Sequence, residues 1–222
     1  MTFTFPLLPH ALHTTENAVN LLIIEDPETL RRLLRTLREQ INGQTGECVL
    51  GADNVPVEFS AAALLITDPL RLEVDHRRLA GKLLQEALQT CEDRYADIAA
   101  VMTEINRLAS EICFAMPIEV DYTEMDDPAA LLRMMNLHVE YEKLDPAEAL
   151  LEHIKLQRRY FGKSFFILYG LKSLLTAEEM RAFYHMAFYE KLDLLMIEPY
   201  QREERIEEEI VTIIDRDLCV LS

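Results

Sequence analysis

The sequence predicts an α/β protein, a sheet of buried, parallel-type strands interrupted by a helical arm. Three observations lead there. Short apolar runs, VNLLIIE (19–25), FFILYG (165–170) and LDLLMIE (192–198), are each bounded by turn or charged residues, as strands covered on both faces are. Between the last two runs, TAEEM offers Thr176 as a helix N-cap and Glu179 at the capping-box position, which makes a strand–helix–strand unit over 165–198. From His76 to Phe114 there is no proline and a single glycine, Gly81, inside a helical spacing of apolar residues.

The elements follow in order. The first run ends in Glu25 and Asp26, and Asp26–Pro27 suits the N-cap and first position of a helix. Leu30, Leu33, Leu34, Leu37 and Ile41 form that helix's buried stripe. AAALLIT (61–67) and IVTIID (210–215) are further strand candidates. Leu79, Leu83, Leu84 and Leu88, then Ile98, Met102, Ile105, Leu108 and Ile112, predict one long helix or two broken near CEDRYAD (91–97). A short extended piece, an acidic loop and a helix from Pro128 come next, and DPAEALLEHIKLQRRYF (145–161) returns the chain to the strand at 165. The predicted organisation is a discontinuous α/β head, 1–71 plus 145–222, with a helical arm at 72–144. The charge run EERIEEE (203–209) reads as a solvated loop or helix face.

Half of the 222 residues are hydrophobic, enough for a real core, and the formal net charge is −17. That acidity opposes ordinary nucleic-acid binding, whose usual footprint is a basic domain. It more commonly serves solubility or attracts cations. None of the four cysteines shares a C-x-x-C spacing, so neither a zinc site nor a redox motif is signalled. They are expected to be reduced, mostly buried thiols of a cytosolic protein. Neither a signal-like N-terminus nor an apolar run of membrane length is present, which sets the expectation of a soluble, cytoplasmic protein.

FGKS (161–164) invites comparison with a phosphate loop, but the position that should hold the first glycine is Gln157, and GKS leads into a strand instead of opening a helix. No H-E-x-x-H or G-x-S-x-G is present, and nothing marks two of the carboxylates as an acid/base pair. Enzymatic chemistry is poorly supported.

Two features remain. Arg31, Arg35 and Arg38 share one face of the first helix, with Arg32 beside them. At about 1.5 Å of rise per residue they span about 10 Å, enough to follow several phosphates of a duplex. The other reading is a solvated face paired with Glu28 and Glu39. Arg77, Arg78 and Lys82 form a second basic cluster, and Lys155, Arg158 and Arg159, with Lys163, a third. The second feature is IEVDYTEMDD (118–127), where Glu119, Asp121, Glu124, Asp126 and Asp127 stand without a lysine or arginine among them. It is either an exposed acidic loop or a set of hard oxygen donors suited to Ca²⁺, which tolerates irregular geometry. The glycine and terminal glutamate of an EF-hand loop are missing.

Three segments in this order, LLIIEDPETLRRLLRTL, FFILYGLKSLLTAEEMRAFYHMAFYEKLDLLMIEP and IIDRDLCVL, give the chain a further meaning. Over nearly its whole length it resembles the small ring-forming adaptation protein of type II-A CRISPR systems. The resemblance implies a degenerate P-loop-hydrolase-like head without a working phosphate loop. It also implies a homotetrameric ring, stabilised by Ca²⁺, that threads double-stranded DNA and prefers free ends. Such proteins assist spacer acquisition in antiviral defence beside the adaptation integrase and the effector nuclease, without catalysis of their own. On that reading the three basic clusters are candidate DNA contacts, and the carboxylates of 119–127 are candidate Ca²⁺ ligands. The alternative class is a divergent metal-dependent nuclease or nucleotide hydrolase.

Overall fold

The computed structural model describes all residues except Asn54, Glu142, Glu203 and Ser222. Two compact units form, Met1–Leu72 with Tyr141–Ser222, and Glu73–Glu140. The first unit begins with β1 (Thr2–Thr4), β2 (Leu12–His13), β3 (Val19–Ile24), α1 (Pro27–Ile41), β4 (Val49–Ala52), β5 (Val55–Pro56), α2 (Phe59–Ala62) and β6 (Ala63–Ile66). The second unit holds α3 (His76–Thr90), α4 (Tyr95–Ala115) and α5 (Pro128–Met134). The first unit then resumes with α6 (Pro146–Phe161), β7 (Phe165–Tyr169), α7 (Ala177–Tyr189), β8 (Asp193–Glu198), β9 (Glu209–Ile214) and β10 (Val220–Leu221).

The result is a mixed α/β fold with two sheets. The larger runs β10-β9-β3-β8-β7-β6, and every pairing from β9 to β6 is parallel. All six residues of β3 are buried, as expected of a strand covered on both faces. Alternation then sorts them: Leu21 and Ile23 join the core under α6 and α7, while Leu22 and Ile24 join the core under α1. Asp26 starts α1 by accepting the Thr29 amide at 2.8 Å, with Pro27 at the first turn. The capping box of Thr176 and Glu179 starts α7.

Several expectations change. The second sheet, β2-β1-β4-β5, is antiparallel and had no counterpart in the sequence reading. The AAALLIT strand starts only at Ala63, because Ala61 and Ala62 finish the turn of α2. Of the two readings of the arm the broken one holds, with a 3₁₀ turn at Glu92–Arg94, inside CEDRYAD, between α3 and α4. Residues 116–127 belong to neither helix nor strand, and Met116 leaves α4 in the extended conformation, at φ −73° and ψ 146°. Of the cysteines only Cys48 is buried; Cys91 and Cys113 are half-buried and Cys219 is exposed.

The EERIEEE run is not uniformly solvated. Glu203 lies outside the described residues, Ile206 is buried in the core, and Glu209 is turned inward. There the Lys172 ammonium reaches Glu209 at 2.6 Å, with the two side chains only 8% and 2% exposed. The Tyr184 hydroxyl donates to the other Glu209 oxygen at 2.8 Å. Beside this pair, Glu198 closes β8 and accepts the Lys172 backbone amide at 2.8 Å, and burial pushes its carboxyl above the ordinary range.

His153 of α6 is another buried polar group. Its ring meets the Tyr141 ring edge-on at 5.9 Å, and neither His153 Nδ1 nor the Tyr141 hydroxyl has a hydrogen-bond partner among the described residues. Burial lowers the imidazole from 6.5 to about 4. The fold therefore favours the neutral ring. Its stabilising effect is complete above pH 6.5 and fades as pH falls towards 4, with a limit of about 3 kcal/mol. Glu198 acts with the opposite sign, since a raised carboxyl favours the fold as it protonates. Comparing His153→Phe with the wild-type chain isolates the imidazole: urea unfolding between pH 4 and 7 should show a shallower loss in the variant. Parallel curves would mean that the ring is protonated without cost.

Candidate nucleic-acid interface

Burying Leu30, Leu33 and Leu37 turns the opposite face of α1 to solvent. Arg31, Arg35 and Arg38 stand exposed on it, and none makes a hydrogen bond or ion pair among the described residues. The pairing with Glu28 and Glu39 does not form. Arg32 is different. Its Nε donates to Glu47 Oε1 at 2.7 Å, a second guanidinium nitrogen reaches Oε2, and the group lies 5.8 Å from the Phe5 ring centroid. Gln40 holds the returning chain in place for this, donating to the Cys48 carbonyl at 2.9 Å and accepting the Cys48 amide at 3.1 Å. Glu47 thus neutralises Arg32 and leaves the three outward arginines as the free track.

The cluster on α6 is largely engaged. Lys155 reaches Glu152 at 2.7 Å and Glu190 at 3.8 Å, and Arg158 donates to the Glu190 backbone carbonyl. The Arg159 guanidinium lies 5.8 Å from the Tyr160 ring centroid, and Lys163 donates to the Ser60 carbonyl at 2.7 Å. These groups join α6 and the turn after it to the end of α7 and to α2. Gly162, at φ 72°, ends α6 in the left-handed conformation, so GKS leaves a helix and enters β7. That is the reverse of phosphate-loop geometry.

In the second unit, Arg77, Arg78 and Lys82 are exposed on α3, and Asp75 caps that helix by accepting the Arg78 amide at 3.0 Å. The acidic segment lies between α4 and α5. Asn106 of α4, which the sequence did not single out, holds it: its side chain donates to the Met125 carbonyl at 3.0 Å and accepts the Met125 amide at 2.8 Å. The Tyr122 hydroxyl donates to the Asn106 carbonyl at 3.1 Å. Glu119, Asp121, Glu124, Asp126 and Asp127 are all exposed. Asp121 accepts the Tyr122 amide, and Asp127 caps α5 through the Ala129 amide and faces Arg133 at 3.5 Å. Among the described residues no three His, Cys, Asp or Glu side chains come together as a metal-holding group. The five carboxylates of one chain therefore do not fit a Ca²⁺ site, which needs about six to eight oxygens.

α4 also carries an apolar seam. Ile98, Val101, Ile105, Leu108 and Ile112 alternate in steps of three and four; Val101, Leu108 and Ile112 are at least half exposed. Arg107, paired with Glu104 and Glu111, flanks it.

Fold and surface together define a mixed α/β protein with a free arginine track on its first long helix and an acid-rich helical insertion. A family model described as CRISPR-associated protein (Cas_Csn2) matches residues 24–218, a stretch that contains both features. The chain belongs to that family of CRISPR-associated proteins. No curated protein matches it significantly. Among the described residues no helix is long and apolar enough to cross a membrane.

Proposed function

We propose that this chain is a non-enzymatic, sequence-independent binder of double-stranded DNA ends. In this reading it acts as a homotetrameric ring in spacer acquisition by a type II-A CRISPR system, in the cytoplasm, beside the adaptation integrase and the effector nuclease. The observation that carries the reading is the exposed, unpaired set Arg31, Arg35 and Arg38 on α1. Family membership supports the CRISPR role. The net charge of −17 is no obstacle, because a phosphate responds to charges within a Debye length, about 8 Å at physiological salt. The seam on α4 supports self-assembly, since an apolar stripe in steps of three and four with charged flanks is suited to a second copy of itself.

The head is read as a degenerate P-loop-hydrolase-like fold. Where a phosphate loop would join strand to helix, β3 and α1 are separated only by Glu25 and Asp26, and the Asp26 carboxylate already takes a first-turn amide. A second acid at that end repels phosphate. The alternative is a metal-dependent nuclease or nucleotide hydrolase, which a Mg²⁺-dependent cleavage or ATPase assay separates from this reading.

Calcium enters the proposal as a requirement of the assembled protein. Among the described residues the carboxylates of one chain do not converge. One experiment tests ring and ion together, a gel shift of a plasmid, linearised or covalently closed, with Ca²⁺ or with EDTA. Retention of linear DNA alone, and only with Ca²⁺, is expected. Equal retention of both forms would overturn threading, and retention in EDTA would overturn the calcium requirement.

A further inference from the structure

Helices α6 and α7 cover the β6–β8 half of one sheet face. Over β3 and β9 the same face is approached instead by the segment between β8 and β9, which seats Ile206 in the core. Beside it opens a cavity of about 540 Å³, a volume ordinary for a small-molecule site. Its floor is apolar, made by Leu21, Ile23, Val211 and Ile213. One wall is the buried Lys172–Glu209 pair, held further by Tyr184.

The rim supplies donors. Arg202 lies 5.0 Å from the Tyr200 ring centroid and donates one guanidinium nitrogen to the Tyr200 hydroxyl at 3.0 Å. Its Nε is buried and has no acceptor among the described residues. A buried donor left unmade costs free energy, so this nitrogen calls for an acceptor. Arg205, exposed on the same segment, makes no hydrogen bond or ion pair among the described residues. The lining charges largely cancel: Lys172 is matched by Glu209, and Glu204 is taken by Arg181 at 3.1 Å. The described lining residues thus carry three cations, Lys172, Arg202 and Arg205, and three carboxylates, Glu204, Glu207 and Glu209; Arg181, outside the lining, takes Glu204, and the buried Glu198 carboxyl interacts with Arg202 from behind.

We propose that this cavity binds a small amphipathic monoanion, with an apolar body on Leu21, Ile23, Val211 and Ile213 and a carboxylate against Arg202 and Arg205. Water alone would satisfy Arg202 Nε but gains nothing from the apolar floor. A nucleotide or free phosphate would bring two or more negative charges into a lining whose own charges balance, and it would face Glu207 and Glu209 as well. A planar carboxylate matches the forked donors of arginine.

The test is calorimetric titration of the full chain with sodium octanoate, with octan-1-ol and sodium phosphate as comparison titrants. Octanoate should bind saturably and at least about tenfold more tightly than octanol, the amount expected of a charge-assisted hydrogen bond, and phosphate should not bind. Arg202→Gln with Arg205→Gln should remove that about tenfold advantage of octanoate over octanol. Arg205→Gln alone, at an exposed position that leaves folding untouched, should reduce it in the same direction. Absence of saturable octanoate binding, equal affinity for octanol, or an advantage unchanged in these variants would overturn the proposal. DNA retention is no part of the readout, so the result stands apart from the DNA-binding reading.

Discussion

Lys172→Met is expected to destabilise the first unit by about 3–5 kcal/mol, the range for removing one partner of a buried ion pair. The size follows from what remains. Glu209 is only 2% exposed, and without the ammonium at 2.6 Å it keeps a single hydrogen bond from Tyr184. Glu198, itself buried and with its carboxyl already pushed up, stands beside the lost cation and adds to the penalty. Removing both partners, in Lys172→Met with Glu209→Met, should cost much less than the single change, because no uncompensated charge is left behind. Urea unfolding of the three proteins measures the difference. A loss below about 1 kcal/mol for Lys172→Met would mean that water from the adjoining cavity reaches Glu209 and relieves it. Such a result would also show that the cavity is wetter than its apolar floor suggests.

The buried pair illustrates what a sequence makes readable. Runs such as VNLLII and DLLMIE announce themselves because a parallel strand covered on both faces must be apolar throughout. Caps such as Asp26 and Thr176 are local, decided within four residues, and were legible for that reason. The small antiparallel sheet was not. Its strands are two to four residues long, and Thr2 pairs with Gly51, far along the chain. No periodicity develops over such lengths, and Pro6 and Pro9 obscure what little there is.

The same limit applies to the sites. That Arg31, Arg35 and Arg38 share a face follows from helical geometry. That Arg32 is neutralised by Glu47 follows only from the Gln40 clamp on Cys48, which spacing cannot reveal. Glu209 stands in a run that reads as solvated, because a run of like charges gives no sign that its last member pairs with Lys172 inside. The acidic segment shows the converse. Five carboxylates close in sequence do not converge, since successive side chains of a non-helical segment point in different directions and Asp127 is used as a helix cap. Asn106, the residue that fixes this segment, lies on another element and carries no charge to attract notice.

Replacing Arg31, Arg35 and Arg38 together by Ala is expected to weaken duplex DNA binding about 100-fold or more at physiological salt. All three are exposed and unpaired, so the variant should unfold within about 0.5 kcal/mol of the parent and keep its oligomeric state. The loss should depend on salt in a specific way. Each phosphate contact removed should flatten the plot of log affinity against log salt concentration by about one unit, without any change in sequence preference. Arg32→Ala is the matched control. Its charge is balanced by Glu47, so it should cost DNA affinity less than any outward arginine while disturbing the contacts with Phe5 and Glu47. Fluorescence anisotropy with a short duplex at several salt concentrations measures all of this. An unchanged affinity in the triple variant would move the DNA path to Arg77, Arg78 and Lys82 on α3, since Lys155 and Arg158 are already engaged by Glu152 and Glu190. An unchanged affinity with a slowed, more weakly salt-dependent association rate would instead mean that the track steers encounter while other groups hold the duplex, because charges within a Debye length of the path act on approach before any contact forms.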